Sequence, residues 1–485
     1  MNNIDALINS AVQPVTEAVS SVIFFKAPLF GADVPLVVMW LFVGAVFFTL
    51  YLGFINLRGF LHAICLVRGD YSHDHHAGEV SHFQALTAAV SGTVGIGNIG
   101  GVAVAVTVGG PGATFWMILA GILGMSTKFM ECTLGTRFRR HNPDGSVSGG
   151  PMYFLEGGLS ERGWPTIGKW IGHFYALGIV IGCMGIGNMF QSNQAFVQMV
   201  NVTGGDQASW LAGKGWLFGT VLATLVGLVI IGGIRSIAKV TERLVPFMTV
   251  LYCSMALTII FMNSAAVPGA IDMIIEGAFS DSGMAGGALG AMIVGIQRAV
   301  FSNEAGIGSA SIAHSAVKTD EAISQGYVSM LEPFIDTVVI CTMTALVIIT
   351  TMYADPGFAS GGMGGIEMTS SAFSRDISWS PYLIAVAAIL FAFSTMITWA
   401  YYGLKGWTYL VGEGRAADIG FKFVFCVFVA LGSTLQLGAI LDFSDAMVFV
   451  ICVPNVLGLY LLAPLVKREL NSYRSRLKDG SIERA

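Results

Sequence analysis

Long apolar runs, several without a single charge, recur along the whole chain. They lie at about 33–57, 83–108, 112–136, 170–200, 215–233, 244–263, 285–313, 325–352, 382–404, 416–438 and 443–466. A helix needs about 20 apolar residues to cross a hydrocarbon layer roughly 30 Å thick. Each run therefore reads as one spanning helix, and the chain as an all-α polytopic membrane protein of eleven transmembrane helices. Composition agrees: of 485 residues only 11% are charged and 54% are hydrophobic, against roughly 25% charged in soluble domains. A wet surface cannot be built from so few charges. The net charge of −5 offers no basic face to a polyanion, which excludes nucleic acid as a partner. The seven cysteines (65, 132, 183, 253, 341, 426 and 452) are scattered without a CxxC pair, so neither a disulfide framework nor a zinc site is indicated.

Basic residues set the expected orientation. Arg58, Arg68, Arg137, Arg139, Arg140, Arg162, Lys169, Arg235, Lys239, Arg243, Lys318, Lys405, Arg415, Lys422 and the basic tail all fall on one side of the predicted spans. The positive-inside bias makes that side cytoplasmic. The N-terminus is then outside, the C-terminus inside, and the location a plasma (inner) membrane. The stretch 264–284 carries Asp272, Glu276 and Asp281 but no Lys or Arg, as an external loop would. The organisation expected is an external segment 1–32, an additional helix 33–57, a first five-helix repeat 82–263, a second 285–466 and a cytoplasmic basic tail 467–485.

The repeat rests on two stretches that align without a gap. Residues 91–97 read Ser-Gly-Thr-Val-Gly-Ile-Gly and residues 302–308 read Ser-Asn-Glu-Ala-Gly-Ile-Gly. An odd number of spans separates the starts of their helices, so the second copy is inverted. Glycine-interrupted helices at matching positions of inverted repeats point to the central site of a secondary transporter. Backbone groups bared to lipid cost several kcal/mol each, so a helix unwinds only where it is buried or lines a cavity. A bared N-terminus then offers N–H groups to an anion, and a bared C-terminus offers carbonyls to a cation. Gly-Ile-Gly-Asn-Ile-Gly at 95–100 also fits the dinucleotide fingerprint, but its flanks are membrane helix rather than a βαβ unit. His73-Asp-His-His76 reads as a solvated loop, without partner ligands nearby in sequence. HExxH, GxSxG and a Walker lysine are all missing, which argues against an enzyme or an ATP-driven pump.

The stretches Ser91–Gly101, Gly109–Met117 and Ser302–Gly308 resemble the alanine/glycine:cation symporter family across nearly all of the predicted spans. That resemblance implies a leucine-transporter-like fold with one helix added before a ten-helix core. It also implies uptake of alanine or glycine with Na⁺, and no cofactor. Val94–Asn98 is similar to a stretch of the leucine-transporter group. By that likeness the carbonyls of Ser91 and Val94, with Ser394 and Thr395, belong to a first sodium site, and Thr93 and Asn98 lie near a second. Gly95 and Gly97 fall where a substrate carboxylate meets backbone amides.

The remaining intramembrane polar residues are weighed singly. Trp399, one turn beyond Thr395, reads as a bulky wall that keeps the pocket small. Phe301 reads as a lid, with Ser302 and Asn303 beside it at the break. Of Gln191, Asn193 and Gln194, Gln191 is the one expected to reach the substrate. Lys128 and Glu131 are expected to pair along one helix. Arg298 is expected to pair with Glu304, Glu332 or Asp336 and to stabilise a gated state. Glu304, which aligns with Thr93, is the candidate for orienting the substrate amine, assisting the ion or carrying a proton. The expected function is Na⁺-coupled symport of a small neutral amino acid in a lipid bilayer, with no obligate protein partner. A proton-coupled symporter is the alternative, and a passive channel a more distant one.

Overall fold

The computed structural model describes residues 13–14, 16–29, 32–71, 77–143, 145–280, 287–353 and 365–482. The chain is almost wholly helical, with two antiparallel hairpins, Lys26–Leu29 with Ala32–Pro35 and Arg140–His141 with Val147–Ser148. Among the described residues six helices are long and apolar enough to cross a membrane: Gly112–Arg137, Pro165–Val202, Gly233–Met262, Ala322–Thr351, Ser380–Val411 and Ile440–Lys478. His82–Thr93 and Ile96–Gly109 form a seventh span bent by 58° at its break. Leu36–Tyr51 and Gly215–Ile230 are shorter apolar helices. The His73–His76 loop lies outside the described residues.

Polarity runs inside-out. Phe261, Ile231, Phe423 and Leu228 are 81, 71, 69 and 68% exposed, whereas Lys128, Glu131, Glu332 and Asp336 are completely buried. Water would reverse that distribution; lipid requires it, because a charge in the membrane is tolerated only toward the protein interior.

One sequence expectation changes here. The stretch 264–284 contains a helix, Val267–Phe279, that buries Ala270, Ile274 and Ala278. Their four-residue spacing makes one face, which docks on Gly112–Arg137, where Trp116 Nε1 donates to the Ala278 carbonyl at 3.2 Å. The window 285–313 is interrupted at its glycines, as the aligned Gly-Ile-Gly stretch predicts. Gly287–Asn303 stops, and a short helix, Ala310–His314, resumes beyond a gap.

The two breaks have distinct local causes. In the first, the helix ends at Thr93, Gly95 is extended, and a tight turn at Ile96–Asn98 leads into Gly100–Gly109. A Cβ on Gly95 would lie 2.7 Å from Thr395 Oγ1, so only glycine lets the strand of backbone pass that hydroxyl. In the second, Glu304 and Gly306 take φ of 58° and 98°. The left-handed region costs a non-glycine residue about 1–2 kcal/mol, so Glu304 is held there by its contacts. Beyond the second break, the segment 315–319 runs back to the one that precedes the first broken helix. Arg139 clasps both, donating to the carbonyls of Ser315, Val317, Thr319 and Ala77.

Candidate functional site

The polar side chains around the two breaks form one buried cluster. Ser91, Thr93, Asn98, Gln191, Ser302, Glu304, Thr395 and Trp399 are each 4% exposed or less. At its centre the bared peptide groups are met by side chains. Asn98 Oδ1 accepts from the Gly95 N–H at 2.9 Å, and Gln191 Oε1 accepts from the Ile96 N–H at 3.1 Å. Gln191 is anchored in turn to the Ile186 carbonyl at 3.0 Å, next to the π-helical turn Gly185–Met189. The amide N–H groups of the first break therefore point at neutral, exchangeable acceptors.

Ser91 and Thr395 meet as the sequence placed them. Thr395 Oγ1 donates to the Ser91 carbonyl at 3.0 Å, and Ser91 Oγ donates to the Ser394 carbonyl at 2.6 Å. The Ser394 hydroxyl turns away, donating to Phe391 O within its own helix. Thr398, one turn further on, takes its place: its hydroxyl reaches Ser91 Oγ at 3.2 Å. Thr93 likewise bonds back to Val90 O and has no partner in either group of ligating atoms. For Val94 the structure records the N–H bonded to Val90 O.

Asn98 belongs to a second group that joins the two breaks. Its Nδ2 donates to Ser302 Oγ at 3.0 Å and to Asp336 Oδ2 at 2.6 Å. Ser302 and Thr337 hydroxyls both donate to Asp336 Oδ1 at 2.7 Å. Asp336 stands on the π-helical stretch Phe334–Cys341, and no Lys or Arg forms an ion pair with it among the described residues. A buried carboxylate whose hydrogen-bond partners are all neutral has oxygens suited to ligating a cation. The sequence marked Asp336 as a costly intramembrane charge, but nothing local tied it to Asn98. Asn303 is structural: it donates to Thr337 Oγ1 and accepts from the Ala305 N–H.

Trp399 is fully buried, and its Nε1 donates to Glu304 Oε1 at 2.9 Å and more weakly to the Gly92 carbonyl at 3.3 Å. Ser309 Oγ donates to the other Glu304 oxygen. The indole thus links the two broken helices. Phe301 stacks edge-on against Phe190 at 5.3 Å and covers Gly97, where a Cβ would lie 3.5 Å from its ring. Asn193 and Gln194 bond to the Leu435 carbonyl and the Ile366 N–H, away from both breaks.

The charge pairings differ from expectation. Lys128 pairs with Glu332 at 3.1 Å rather than with Glu131, and His314 Nε2 lies 2.5 Å from the other Glu332 oxygen. Glu131 instead accepts from the Gly306 N–H at 2.8 Å and from Asn455 Nδ2 at 2.7 Å. The i,i+3 spacing permits a local pair, but a bared backbone donor in a dry interior is the more demanding partner. Arg298 pairs with Asp445 on the last helix, and its guanidinium lies 5.2 Å from the Phe301 ring centroid. None of Glu304, Glu332 and Asp336 is its partner: Trp399 and Ser309 engage the first, Lys128 and His314 the second, and Asn98, Ser302 and Thr337 the third. Glu131, with Asn455 and the Tyr175 hydroxyl, which donates to the Ile307 carbonyl at 2.9 Å, occupies the bared groups of the second break. The N–H groups of the first break meet neutral amide oxygens, whereas the Gly306 N–H of the second meets a carboxylate.

A bundle of membrane helices, two of them interrupted around a buried polar cluster, has the architecture of a carrier. The comparisons fix its kin. A model of the sodium:alanine symporter family matches residues 16–485, and the chain belongs to that family. The sodium/alanine symporter AgcS of Methanococcus maripaludis is 37% identical over 447 residues, covering 92% of this chain and 95% of that one. The probable sodium/glutamine symporter GlnT of Bacillus subtilis is 31% identical over 447 residues, covering 92% and 89%. The crystal structure of MhsT in complex with L-phenylalanine has the same fold, with a TM-score of 0.56 at 15% identity, covering 80% of this chain and 98% of that one. The protein is therefore a membrane-embedded symporter of the sodium-coupled amino-acid class.

Proposed function

We propose that this protein imports a small neutral amino acid, alanine or glycine, together with Na⁺ by alternating access. The carrying observation is Asp336: a buried carboxylate, fed by Asn98 from one break and Ser302 from the other, without a cationic partner. A sodium ion there would be held by both broken helices at once, so its binding would favour their closed arrangement. The Ser91 carbonyl and Thr395 hydroxyl, with the Val94 carbonyl and with Thr398 in place of Ser394, form the other sodium site. The substrate carboxylate lies at Gly95 and Gly97, displacing Asn98 or Gln191 from the amides. Trp399 limits the side chain that fits, Phe301 covers the site, and the Arg298–Asp445 pair stabilises the state closed on its side.

The architecture proposed is eleven spanning helices, one added in front of two inverted repeats of five, supported by two breaks at aligned positions. The N-terminus is outside and the C-terminus cytoplasmic in an inner membrane, as the clustering of basic residues favours. One Na⁺ moving down 100 mV releases about 2.3 kcal/mol, and a tenfold Na⁺ gradient adds about 1.4 kcal/mol. Together these sustain an alanine gradient of several hundredfold per ion.

The test is radiolabelled alanine uptake in proteoliposomes with Na⁺, K⁺ and pH gradients imposed separately. Accumulation driven by Na⁺ alone is the expected result. Accumulation driven by pH alone would assign the coupling to protons through Glu304, and equilibration without accumulation would mark a channel.

Two substitutions probe the pocket. Thr395→Ala removes the donor to the Ser91 carbonyl, and the Na⁺ concentration for half-maximal uptake rises about tenfold, on the scale of one buried hydrogen bond; an unchanged value removes Thr395 from the ion site. Trp399→Ala opens room for larger side chains, so glutamine or leucine competes with alanine where the native protein rejects them. It also lowers stability by about 3–5 kcal/mol, which thermal denaturation in detergent measures. Unaltered selectivity refutes the wall.

A further inference from the structure

A groove of about 570 Å³ lies away from the buried polar cluster, between the end of the helix Pro151–Glu161 and the turn of the last helix that contains Pro464. Arg162 and Arg468 flank it, Leu461 and Leu465 form its floor, and Glu161 is its one carboxylate. Arg162 is pinned at the rim: Nη1 donates to the Leu461 carbonyl, and the guanidinium lies 5.8 Å from the Trp164 ring. Its other donors make no hydrogen bond among the described residues. Arg468 makes neither an ion pair nor a hydrogen bond there, and the adjacent Glu469 pairs with Arg137 at 2.7 Å. The groove is thus left with net positive charge and two guanidinium groups without a carboxylate partner.

Its depth is set by the elements around it. Trp164, Ile167 and Trp170 are 44, 53 and 74% exposed where the span Pro165–Val202 begins, and exposed tryptophans mark the membrane–water boundary. The last helix has 42 residues, a length of about 63 Å at 1.5 Å per residue. It therefore runs well past a hydrocarbon layer of roughly 30 Å, and Arg468 lies beyond its apolar part. Arg137, Arg139 and Arg140 share this side, the one read as cytoplasmic, whose leaflet carries anionic lipid. Paired guanidinium groups match the oxygens of a phosphate, and an apolar floor suits the start of an acyl chain.

We propose that the groove between Arg162, Arg468 and the Pro464 turn is a binding site for the headgroup of an anionic phospholipid. The phosphate sits between the two guanidinium groups, and an acyl chain follows Leu461 and Leu465 into the bilayer. The site tests by titrating the detergent-purified full chain with dioctanoyl-phosphatidylglycerol and following binding by calorimetry. Saturable binding is expected, at least tenfold tighter than to dioctanoyl-phosphatidylcholine or to glycerol 3-phosphate. Each arginine near a membrane surface is worth about fivefold in affinity, so Arg468→Ala weakens phosphatidylglycerol about fivefold and the pair with Arg162→Ala more than tenfold. Arg468 holds nothing else in place, so its variant is informative even where the double variant loses thermal stability. Unchanged affinity in Arg468→Ala, or equal binding of the phosphatidylcholine, overturns the proposal. Equally tight glycerol 3-phosphate would do so as well, by marking a free-anion site. The readout needs no transported substrate, so it stands or falls apart from the assignment of alanine.

Discussion

Asp336→Asn raises the Na⁺ concentration for half-maximal alanine uptake at least a hundredfold. Two unit charges 4 Å apart attract by about 4 kcal/mol at an effective dielectric of 20, close to a thousandfold in affinity. The amide oxygen of asparagine recovers part of that as a neutral ligand. Asn98, Ser302 and Thr337 all donate to this carboxylate, so the asparagine must turn its oxygen toward some donors and its NH₂ toward another. The loss is thus specific to the ion, with alanine binding at saturating Na⁺ much less affected. Sodium-dependent alanine uptake across a Na⁺ titration measures both. An unshifted midpoint would place the ion elsewhere and leave Asp336 as a structural acceptor.

Glu304→Gln abolishes Na⁺-driven uptake, to below about one hundredth of the native rate, while the protein still folds. Each Glu304 oxygen accepts one donor, the Trp399 indole N–H and the Ser309 hydroxyl. Glutamine has a single oxygen, so one of those buried donors faces an NH₂ group instead, at a cost of about 1–3 kcal/mol. The residue also sits in the left-handed region, where those same contacts hold the backbone. Loosening them frees both the break and the indole that walls the pocket. Uptake assays paired with thermal denaturation separate loss of transport from loss of fold. Native rates in a folded Glu304→Gln protein would reduce the carboxylate to a spectator.

The buried polar cluster was only partly legible along the chain. Glycines at 95 and 306 carried their signal locally, because a helix in lipid cannot lose its hydrogen bonds without a residue that tolerates the new dihedrals. Thr395 was visible as one of two adjacent hydroxyls, but adjacency could not say which of them faces the break. Ser394 turned back on its own helix, and Thr398 took its place, because one helical turn rotates a side chain onto the same face. Asp336 and Glu131 were visible as costly charges without destinations. Their partners, Asn98 and Ser302 for one, Gly306 and Asn455 for the other, lie hundreds of residues away or on another helix. The helix Val267–Phe279 went unseen because thirteen residues with three acids around them fall short of a spanning signal, although its buried face repeats every four residues.

By itself the sequence determined the solvent of this protein, its helical class and the two positions where helices break. Those follow from run length, hydropathy and glycine chemistry, all of which act within a few residues. Only the tertiary structure decided which partner meets each bared group. Glu131, Asn455 and Tyr175 close the second break, while the first is met by neutral amides that a carboxylate can displace. That choice depends on charge burial and hydrogen-bond geometry between helices distant in sequence, and no local pattern encodes it.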